Sequence, residues 1–277
     1  MSAKVVALAG ANGYVGKALA DAFLDLNPFQ VRLLVRNESI NTTPYQDYKK
    51  RGALLYAVSY DDEASLVKAL DGVDVLVSSV AAAALTSTQK AGVKVFFPSE
   101  FSGNFPDDVP FTTFRARRDV LESAKEHGLP VARLNTGGFP EYIFELPLGL
   151  RFADKKITIW GEGNTKVSWT TMKSVADWLA NVLKSVPVTE LQNKDIAIQG
   201  SSLTLNEIVK TLGAKHNVRE APSRYRPLKE MEDRIAADPT DLLAFLVRGF
   251  EVGHGNIGGE GNGLYPDWKP ESVESVL

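Results

Sequence analysis

The sequence predicts an α/β fold in which helices cover both faces of a parallel sheet. Short β-branched apolar runs alternate with helix-like segments through the first half of the chain. The first run ends in a glycine cluster that opens a helix, and each crossover is long enough to contain one. Alternation of this kind is typical of βαβ units with a buried sheet, and six such strands indicate a Rossmann-type doubly wound fold.

Each strand is predicted from a short apolar run and each helix from the segment that follows it. We expect strands at Val5–Ala9, Val31–Val35, Leu54–Val58, Val73–Val77, Val93–Phe97 and Pro130–Leu134. We expect helices at Val15–Leu26, Ala64–Leu70, Ala84–Ala91 and Ala116–His127. Gly92 and Gly128 follow two of these helices, where a left-handed C-cap favours glycine.

The second half is less regular and predicts a smaller C-terminal lobe. A strand is expected at Lys156–Trp160, with helices near Ser174–Leu183 and Leu205–Leu212. A glycine-rich tract near the end, 253–263, is expected to be a mobile loop. We therefore predict a cofactor-binding domain over residues 1–150 and a substrate-binding lobe over 151–277, continuous in the chain and packed as one unit.

Composition and charge exclude several classes of protein. The chain has 277 residues with 31 Lys and Arg against 34 Asp and Glu, a formal net charge of −3 that argues against a nucleic-acid partner. It has no cysteine, which removes disulfides, thiolate metal sites and a cysteine nucleophile, and its three histidines lack ligand spacing. Because no apolar run approaches a signal sequence or a membrane span, we expect a cytoplasmic protein with no membrane partner and no metal.

The glycine cluster after the first strand predicts a dinucleotide site. Gly10-Ala11-Asn12-Gly13-Tyr14-Val15-Gly16 has the spacing G-x-x-G-x-x-G between a strand and a helix. Glycine allows a tight turn and close backbone approach, while the helix N-terminus offers free N–H groups and a positive dipole end to a diphosphate. The alternative is a glycine-rich turn without a cofactor.

The end of the second strand indicates which dinucleotide is bound. An enzyme specific for NAD places an acid there to bind the ribose 2′-hydroxyl, whereas this chain has Arg36. A guanidinium pairs with a 2′-phosphate, so NADP(H) is the predicted cofactor. The alternative is an arginine that only faces solvent. At the end of the fourth strand, the small residues Ser78, Ser79 and Val80 leave room for the nicotinamide-side ribose.

These motifs resemble the NmrA-like and isoflavone-reductase-like atypical short-chain dehydrogenases. The most specific match is Phe97-Pro98-Ser99-Glu100-Phe101 after the fifth strand. The other matching segments follow the family's order along nearly the whole chain: 10–16, 34–36, 72–78, 135–139, 159–164, 203–207 and 264–267. The family includes reductases of aromatic secondary metabolites and regulators that bind the dinucleotide without turnover.

The resemblance implies roles for particular residues. It assigns the diphosphate to Gly10, Asn12, Gly13, Tyr14, Val15 and Gly16, and the 2′-phosphate to Arg36. It places around the nicotinamide and its ribose Ser79, Val80, Ser99, Phe101, Thr136, Gly137 and Phe139.

One departure from the family affects the mechanism. Family reductases carry a catalytic lysine at the start of the helix after Pro-Ser-Glu-Phe, but here the segment Phe111–Leu121 contains none, and Arg115 is the nearest equivalent. An arginine keeps the positive charge and the donors but does not deprotonate at working pH, so it suits ribose binding or oxyanion stabilisation. Proton donation would fall to water or to another group such as Tyr142.

Aromatic residues suggest a substrate pocket at the carboxyl ends of the strands. The candidate walls, each of which could instead be ordinary core, are Phe105, Phe114, Phe139, Tyr142 and Trp169. The leading hypothesis is an NADPH-dependent reductase of a small aromatic or polycyclic secondary metabolite, acting as a monomer or homodimer. The alternatives are a non-catalytic NADP(H)-sensing regulator and a cofactor-assisted cyclase or rearrangement enzyme.

Overall fold

A five-stranded parallel sheet forms the centre of the molecule. In the computed structural model, which describes residues 1–26, 28–80, 85–103, 105, 112–144, 157–215 and 223–276, the strand order is β3–β2–β1–β4–β5. The strands are β1 (Val5–Ala9), β2 (Gln30–Arg36), β3 (Leu54–Val58), β4 (Val75–Ser78) and β5 (Val95–Phe97). This order reverses between β1 and β4, and ligands of open α/β sheets bind at such a switch point. The predicted fold class is confirmed.

Five helices connect and cover these strands. They are α1 (Tyr14–Leu26), α2 (Thr43–Lys50), α3 (Glu63–Leu70), α4 (Leu85–Lys90) and α5 (Thr112–Glu126). The apolar stripe of α1 buries Leu19, Ala20 and Phe23 against the sheet. Asp62 is the N-cap of α3, and its carboxylate accepts hydrogen bonds from the backbone N–H groups of Ala64 and Ser65.

Further short strands and helices follow α5 along the chain. Its elements are β6 (Ala132–Asn135), α6 (Pro140–Ile143), β7 (Ile157–Trp160), β8 (Lys166–Trp169), α7 (Met172–Ser185), α8 (Val188–Leu191), β9 (Lys194–Ala197), β10 (Ser201–Thr204), α9 (Leu205–Lys215), β11 (Ser223–Arg226), α10 (Lys229–Ala237) and α11 (Leu242–Glu251). Among the described residues, no helix is both long and apolar enough to cross a membrane.

The central sheet continues beyond β5. A parallel bridge between Phe96 and Val131 joins the start of β6 to β5, and β6 in turn pairs in parallel with β9. Helix α7 packs beside α1, with Trp178 and Leu179 fully buried. These contacts bury side chains from both halves of the chain. The hydrophobic core around the central sheet, called the first core, therefore includes residues that follow position 150.

A second hydrophobic core organises the C-terminal lobe. Strands β8 and β10 pair antiparallel, and β7 and β11 pair in parallel. Fully buried Trp169 stacks on Phe144 at a centroid distance of 5.3 Å and contacts Phe250 at 5.6 Å. The predicted boundary at residue 150 falls within 145–156, outside the described residues, and α7 and β9 pack with the first core although they follow it.

The glycine-rich tract near the C-terminus is tied to the lobe by hydrogen bonds. A 3₁₀ helix covers Glu260–Leu264. The N–H of Ile257 donates to Ser168 Oγ at 3.1 Å, and the Asn262 amide exchanges hydrogen bonds with the Gln199 backbone at 3.1 and 2.9 Å. The expectation of a mobile loop did not take these polar partners into account, because they lie far away in sequence.

Asp74 fastens the amino end of the sheet, and its substitution tests that role. Its carboxylate, on a residue 8% exposed, accepts from the backbone N–H groups of Lys4 and Val5 at 2.8 and 3.0 Å and pairs with Lys94. Burial alone would raise the pKa of Asp74, but the bonds from Lys94, Lys4 and Val5 outweigh it and lower that pKa. We expect Asp74→Asn to reduce the free energy of unfolding by about 2 kcal/mol near neutral pH, measured by urea denaturation.

The pH dependence of that loss has a defined sign. Because the folded-state pKa is depressed, the contribution of Asp74 is fully present above the unfolded pKa of about 4 and disappears as the pH falls through the folded pKa. Asp71→Asn, in the exposed part of the same turn, is the control and should change stability little. Equal stabilities of the wild type and Asp74→Asn at neutral pH would contradict this role.

Candidate cofactor site

The glycine turn after β1 is closed by Ser79, the residue that follows β4. Gly10 has a φ of +87°, and its carbonyl accepts from the N–H of Gly13 at 2.9 Å. The Ser79 hydroxyl donates to the carbonyls of Ala9 and Gly10, both at 3.0 Å. A Cβ on residue 10 would lie 2.5 Å from Ser79 Oγ, so a side chain there would meet both backbone strain and a collision.

Gly16 lets α1 start against this turn. A Cβ at this position would lie 2.0 Å from the Gly10 carbonyl oxygen and 2.8 Å from Ser79 Oγ. Only a residue without a side chain permits that approach. The first turn of α1 is therefore held directly above the carboxyl ends of β1 and β4, at the switch point of the sheet.

The outer face of the turn is open. Asn12, Gly13 and Tyr14 are exposed, and a Cβ on Gly13 would meet only the Gly10 carbonyl oxygen, at 3.4 Å. The leading N–H groups of an α-helix have no acceptor within the helix and carry the positive end of its dipole. This open face of the turn, formed by residues 12–14 and called the cradle, therefore fits the diphosphate of a dinucleotide.

Arg36 stands at the carboxyl end of β2 and forms an ion pair with Glu38. The Nε to Oε1 distance is 3.3 Å, and the two side chains are 68% and 66% exposed. Burial raises the pKa values of Tyr45 and Tyr60, and the positive charge of Arg36 opposes the rise in both. A reachable guanidinium beside two neutral phenols has the donors that a 2′-phosphate requires.

The loop after β5 and the end of β6 are joined at the opposite end of the site. The Ser102 carbonyl accepts from the N–H groups of Thr136 and Gly137 at 3.1 and 3.2 Å. Gly137 has a φ of +70°, and a Cβ there would lie 2.1 Å from the Ser168 carbonyl oxygen. The structure thus brings β6 and β8 together through glycine.

The remaining predicted cofactor residues lie around these two ends. Ser78 is buried and donates its hydroxyl to the Val80 carbonyl at 3.0 Å, so that hydroxyl supports the strand end. The segment that follows β5 and contains Ser102 is called the Ser102 loop. Phe101 in this loop is buried, as are Thr136 and Phe139 after β6, while Ser99 and Val80 are half-buried.

Arg115 and Tyr142, the two predicted catalytic residues, are both exposed. Arg115 is exposed near the start of α5. Tyr142 is 37% exposed and packs against Tyr14 with a centroid distance of 5.6 Å and an interplanar angle of 60°. Tyr142 is therefore placed beside the glycine turn.

The predicted substrate walls are dispersed. Phe105 packs on Phe245 and His254, at centroid distances of 5.3 and 6.3 Å, and Phe139 is buried where α6 begins. Trp169 is enclosed in the second core, where its indole N–H donates to the Leu203 carbonyl at 3.1 Å. The side chain of Phe114 lies outside the described residues.

Two charged side chains near Ser102 were not predicted as site residues: Arg117, which is half-buried, and Glu100, which is buried. Arg117 Nη1 donates to Ser102 Oγ at 2.8 Å. Burial lowers the pKa of Arg117, and the negative charge of Glu100 opposes that shift. Burial also raises the pKa of Glu100, which is 6% exposed, and the positive charges of Arg117 and Arg133 oppose the rise.

Helical spacing contained the signal for Arg117. Ala124, seven residues later, is fully buried, so position 117 belongs to the face of α5 that packs inward. Arg115 lies two residues before Arg117, on the opposite side of the helix. Arg117, rather than the exposed Arg115, therefore reaches the loop after β5, a distinction that residue type alone did not make.

Comparison with known proteins agrees with this architecture. Residues 2–233 match the model of the NmrA-like family. The phenylcoumaran benzylic ether reductase PT1 of Pinus taeda is 29% identical, with coverage of 98% of this chain and 97% of that protein. The isoflavone reductase homolog P3 of Arabidopsis thaliana is 27% identical over 97% of this chain and 95% of its own length.

Solved structures share the fold. A structure of AtPrR2 with NADP⁺ and (+)pinoresinol superposes with a TM-score of 0.82 at 24% identity and covers 100% of this chain and 98% of its own. A crystal structure of isoflavone reductase gives a TM-score of 0.85 at 21% identity, covering 100% of this chain and 99% of its own. The predicted resemblance is thereby confirmed.

Two glycine substitutions separate folding from binding at the turn. Gly16→Ala should destabilise the protein by about 1–3 kcal/mol, since its Cβ would collide with the Gly10 carbonyl. Gly13→Ala has room in the folded chain, so its thermal midpoint should stay close to that of the wild type, while the new methyl group narrows the open cradle and weakens dinucleotide binding about tenfold.

Thermal denaturation and calorimetric titration with NADPH measure the two effects. Gly263→Ala, where a Cβ would meet no atom within 4 Å, is the control. Gly16→Ala with wild-type stability, or Gly13→Ala with wild-type affinity, would contradict this account of the turn.

Proposed function

The chain belongs to the NmrA-like family, and we propose that it is an NADPH-dependent reductase of a small aromatic secondary metabolite. The observation that carries the proposal is the glycine turn at the switch point, with Arg36 at the end of the neighbouring strand. Together they provide a cradle for a diphosphate and a cation for a 2′-phosphate.

The residues that would hold the cofactor extend across the carboxyl edge of the sheet. The N–H groups of Tyr14, Val15 and Gly16 would face the diphosphate, and Arg36 would face the 2′-phosphate. Thr136, Gly137 and Phe139 would enclose the nicotinamide end. The chemistry that bound NADPH supplies is hydride donation, while these residues orient the ring and exclude water from it.

The relatives support both the cofactor and the substrate class. Their names describe a benzylic ether reductase and an isoflavone reductase homolog, and the AtPrR2 structure contains NADP⁺ and pinoresinol. For this chain we propose an aromatic acceptor of the same general kind. Phe101 and Phe139, both buried in or beside the Ser102 loop, suit a flat ring.

The regulator alternative is favoured by one observation. The start of α5 has arginines and no lysine, so the group that moves protons in family reductases is absent from this segment. A protein that senses NADP(H) needs the cradle and Arg36 but no acceptor pocket.

Stoichiometric turnover distinguishes the two functions. The purified protein should oxidise NADPH in proportion to the product formed when incubated with a panel of aromatic ethers and conjugated aromatic ketones, followed by absorbance at 340 nm and chromatography. A protein that binds NADPH, with the complex unchanged for hours in the presence of every acceptor, would instead be the regulator.

Arg36→Ala tests the cofactor assignment. Removing the guanidinium should weaken NADPH binding about tenfold or more while leaving NADH binding nearly unchanged, because a charge-assisted contact to the 2′-phosphate is lost. Both affinities are measured by fluorescence titration. Lys68→Ala, an exposed cation on α3, is the control for net charge.

Glu38 provides a second variant with the opposite sign. Its carboxylate pairs with Arg36 at 3.3 Å, so a 2′-phosphate competes with it for the same guanidinium. Glu38→Gln should therefore tighten NADPH binding severalfold without affecting NADH. Unchanged selectivity between the two dinucleotides in both variants would reject the role of Arg36.

A further inference from the structure

We propose that Arg117 is a catalytic residue that stabilises negative charge developing on an oxygen of the acceptor, with Ser102 and Glu100 holding it in position. This inference rests on the proposed reductase function and deepens it. It also specifies the acceptor, a conjugated carbonyl compound whose reduction places the displaced electron pair on oxygen.

The position of Arg117 is defined by the residues that it contacts. Its Nη1 donates to Ser102 Oγ at 2.8 Å, and the carbonyl of Ser102 is the acceptor for Thr136 and Gly137. One residue therefore connects the guanidinium to the end of β6, where the nicotinamide would lie. Arg117 is half-buried, so it is partly shielded from bulk water.

Glu100 explains how a cation is tolerated there. It lies two residues before Ser102, is 6% exposed, and its carboxylate is 3.9 Å from Arg133 Nη2. Arg133 also pairs with Asp195 on the neighbouring strand at 3.4 Å. The charges alternate as Arg117, Glu100, Arg133 and Asp195, so the positive charge of Arg117 is balanced within the protein.

A cationic side chain in a reductase can transfer a proton or stabilise negative charge, and a guanidinium is suited to the second task. It stays protonated at working pH, so it does not accept a proton from the substrate. Its five N–H donors can hold Ser102 and a further oxygen together. In a water-poor site, a fixed cation stabilises developing charge more strongly than it would in bulk water.

The chemistry that suits such a group is reduction without prior deprotonation. A hydride adds to the electron-poor carbon of the acceptor, and the π electron pair moves onto the carbonyl oxygen beside Arg117. The resulting enolate or phenolate takes a proton from water. The acceptor gains two electrons, the nicotinamide loses two, and no protein base is required.

A phenol that reports its own ionisation tests the role of Arg117 independently of turnover. With NADP⁺ present, 4-nitrophenol is titrated with wild-type protein, and the phenolate is followed by absorbance near 400 nm across a pH series. The pKa of the bound phenol should fall by about one unit or more, as expected for an opposite charge within hydrogen-bonding distance. Arg117→Met should abolish that shift, and Arg117→Lys should retain part of it.

Two controls keep the result interpretable. Lys125→Met removes an exposed cation from the same helix and should leave the shift unchanged. The NADP⁺ affinity of Arg117→Met should equal that of the wild type, which shows that the variant is folded and its cradle intact. If Arg117→Met fails this check, the partial shift in Arg117→Lys decides the question.

Turnover supplies the second readout. For a conjugated carbonyl acceptor, Arg117→Met should lower kcat about 100-fold with little change in the KM for NADPH. A wild-type protein that binds no 4-nitrophenol, or a shift that persists in Arg117→Met, overturns the role of Arg117. An Arg117-dependent shift without oxidation of NADPH by any acceptor would instead overturn the proposed reductase function and leave an anion site.

Discussion

The site depends on one steric constraint, the contact between the start of α1 and the turn that leaves β1. At Gly16 the space for a side chain is occupied by the carbonyl oxygen of Gly10, 2.0 Å from where a Cβ would be. Ser79, directly after the neighbouring strand β4, holds that carbonyl in place through its hydroxyl. Because backbone, helix and strand meet at van der Waals distance, the helix dipole and its free N–H groups point at a single location above the sheet.

Local patterns were sufficient to predict the parallel sheet, because each of its strands is an apolar run followed by a helical period. The glycine turn could also be predicted from the sequence, since the glycines that form it lie within seven consecutive residues. In the C-terminal lobe β7 was predicted, but β8, β10 and β11 were missed because their pairing is set by partners distant in sequence, as where Ser201 pairs with Trp169. Helix α2 was missed because its composition is polar and its two buried tyrosines form only a short apolar face.

In the candidate site too, local sequence predicted some residues, while tertiary packing determined others. Arg36 could be predicted because the end of β2 defines its position. Arg117 could not be chosen over Arg115 from residue type, since both are arginines near the start of one helix. The distinction is made by the face of α5 that packs inward, and by a polar partner, Ser102, on a loop fifteen residues earlier. Motifs thus predict the backbone cradle, whereas tertiary packing selects the side chains that complete it.

Arg36 and Arg117 differ in their contact with solvent, and the effect of ionic strength on each therefore differs. The pair of Arg36 with Glu38 is about two-thirds exposed. At physiological salt, charges in water are screened over about 8 Å. Attraction of an anionic cofactor to that end of the site therefore weakens as salt is added, while the shielded cluster around Glu100 is screened far less. Salt concentration thus acts on the capture of the cofactor separately from the chemistry that follows it.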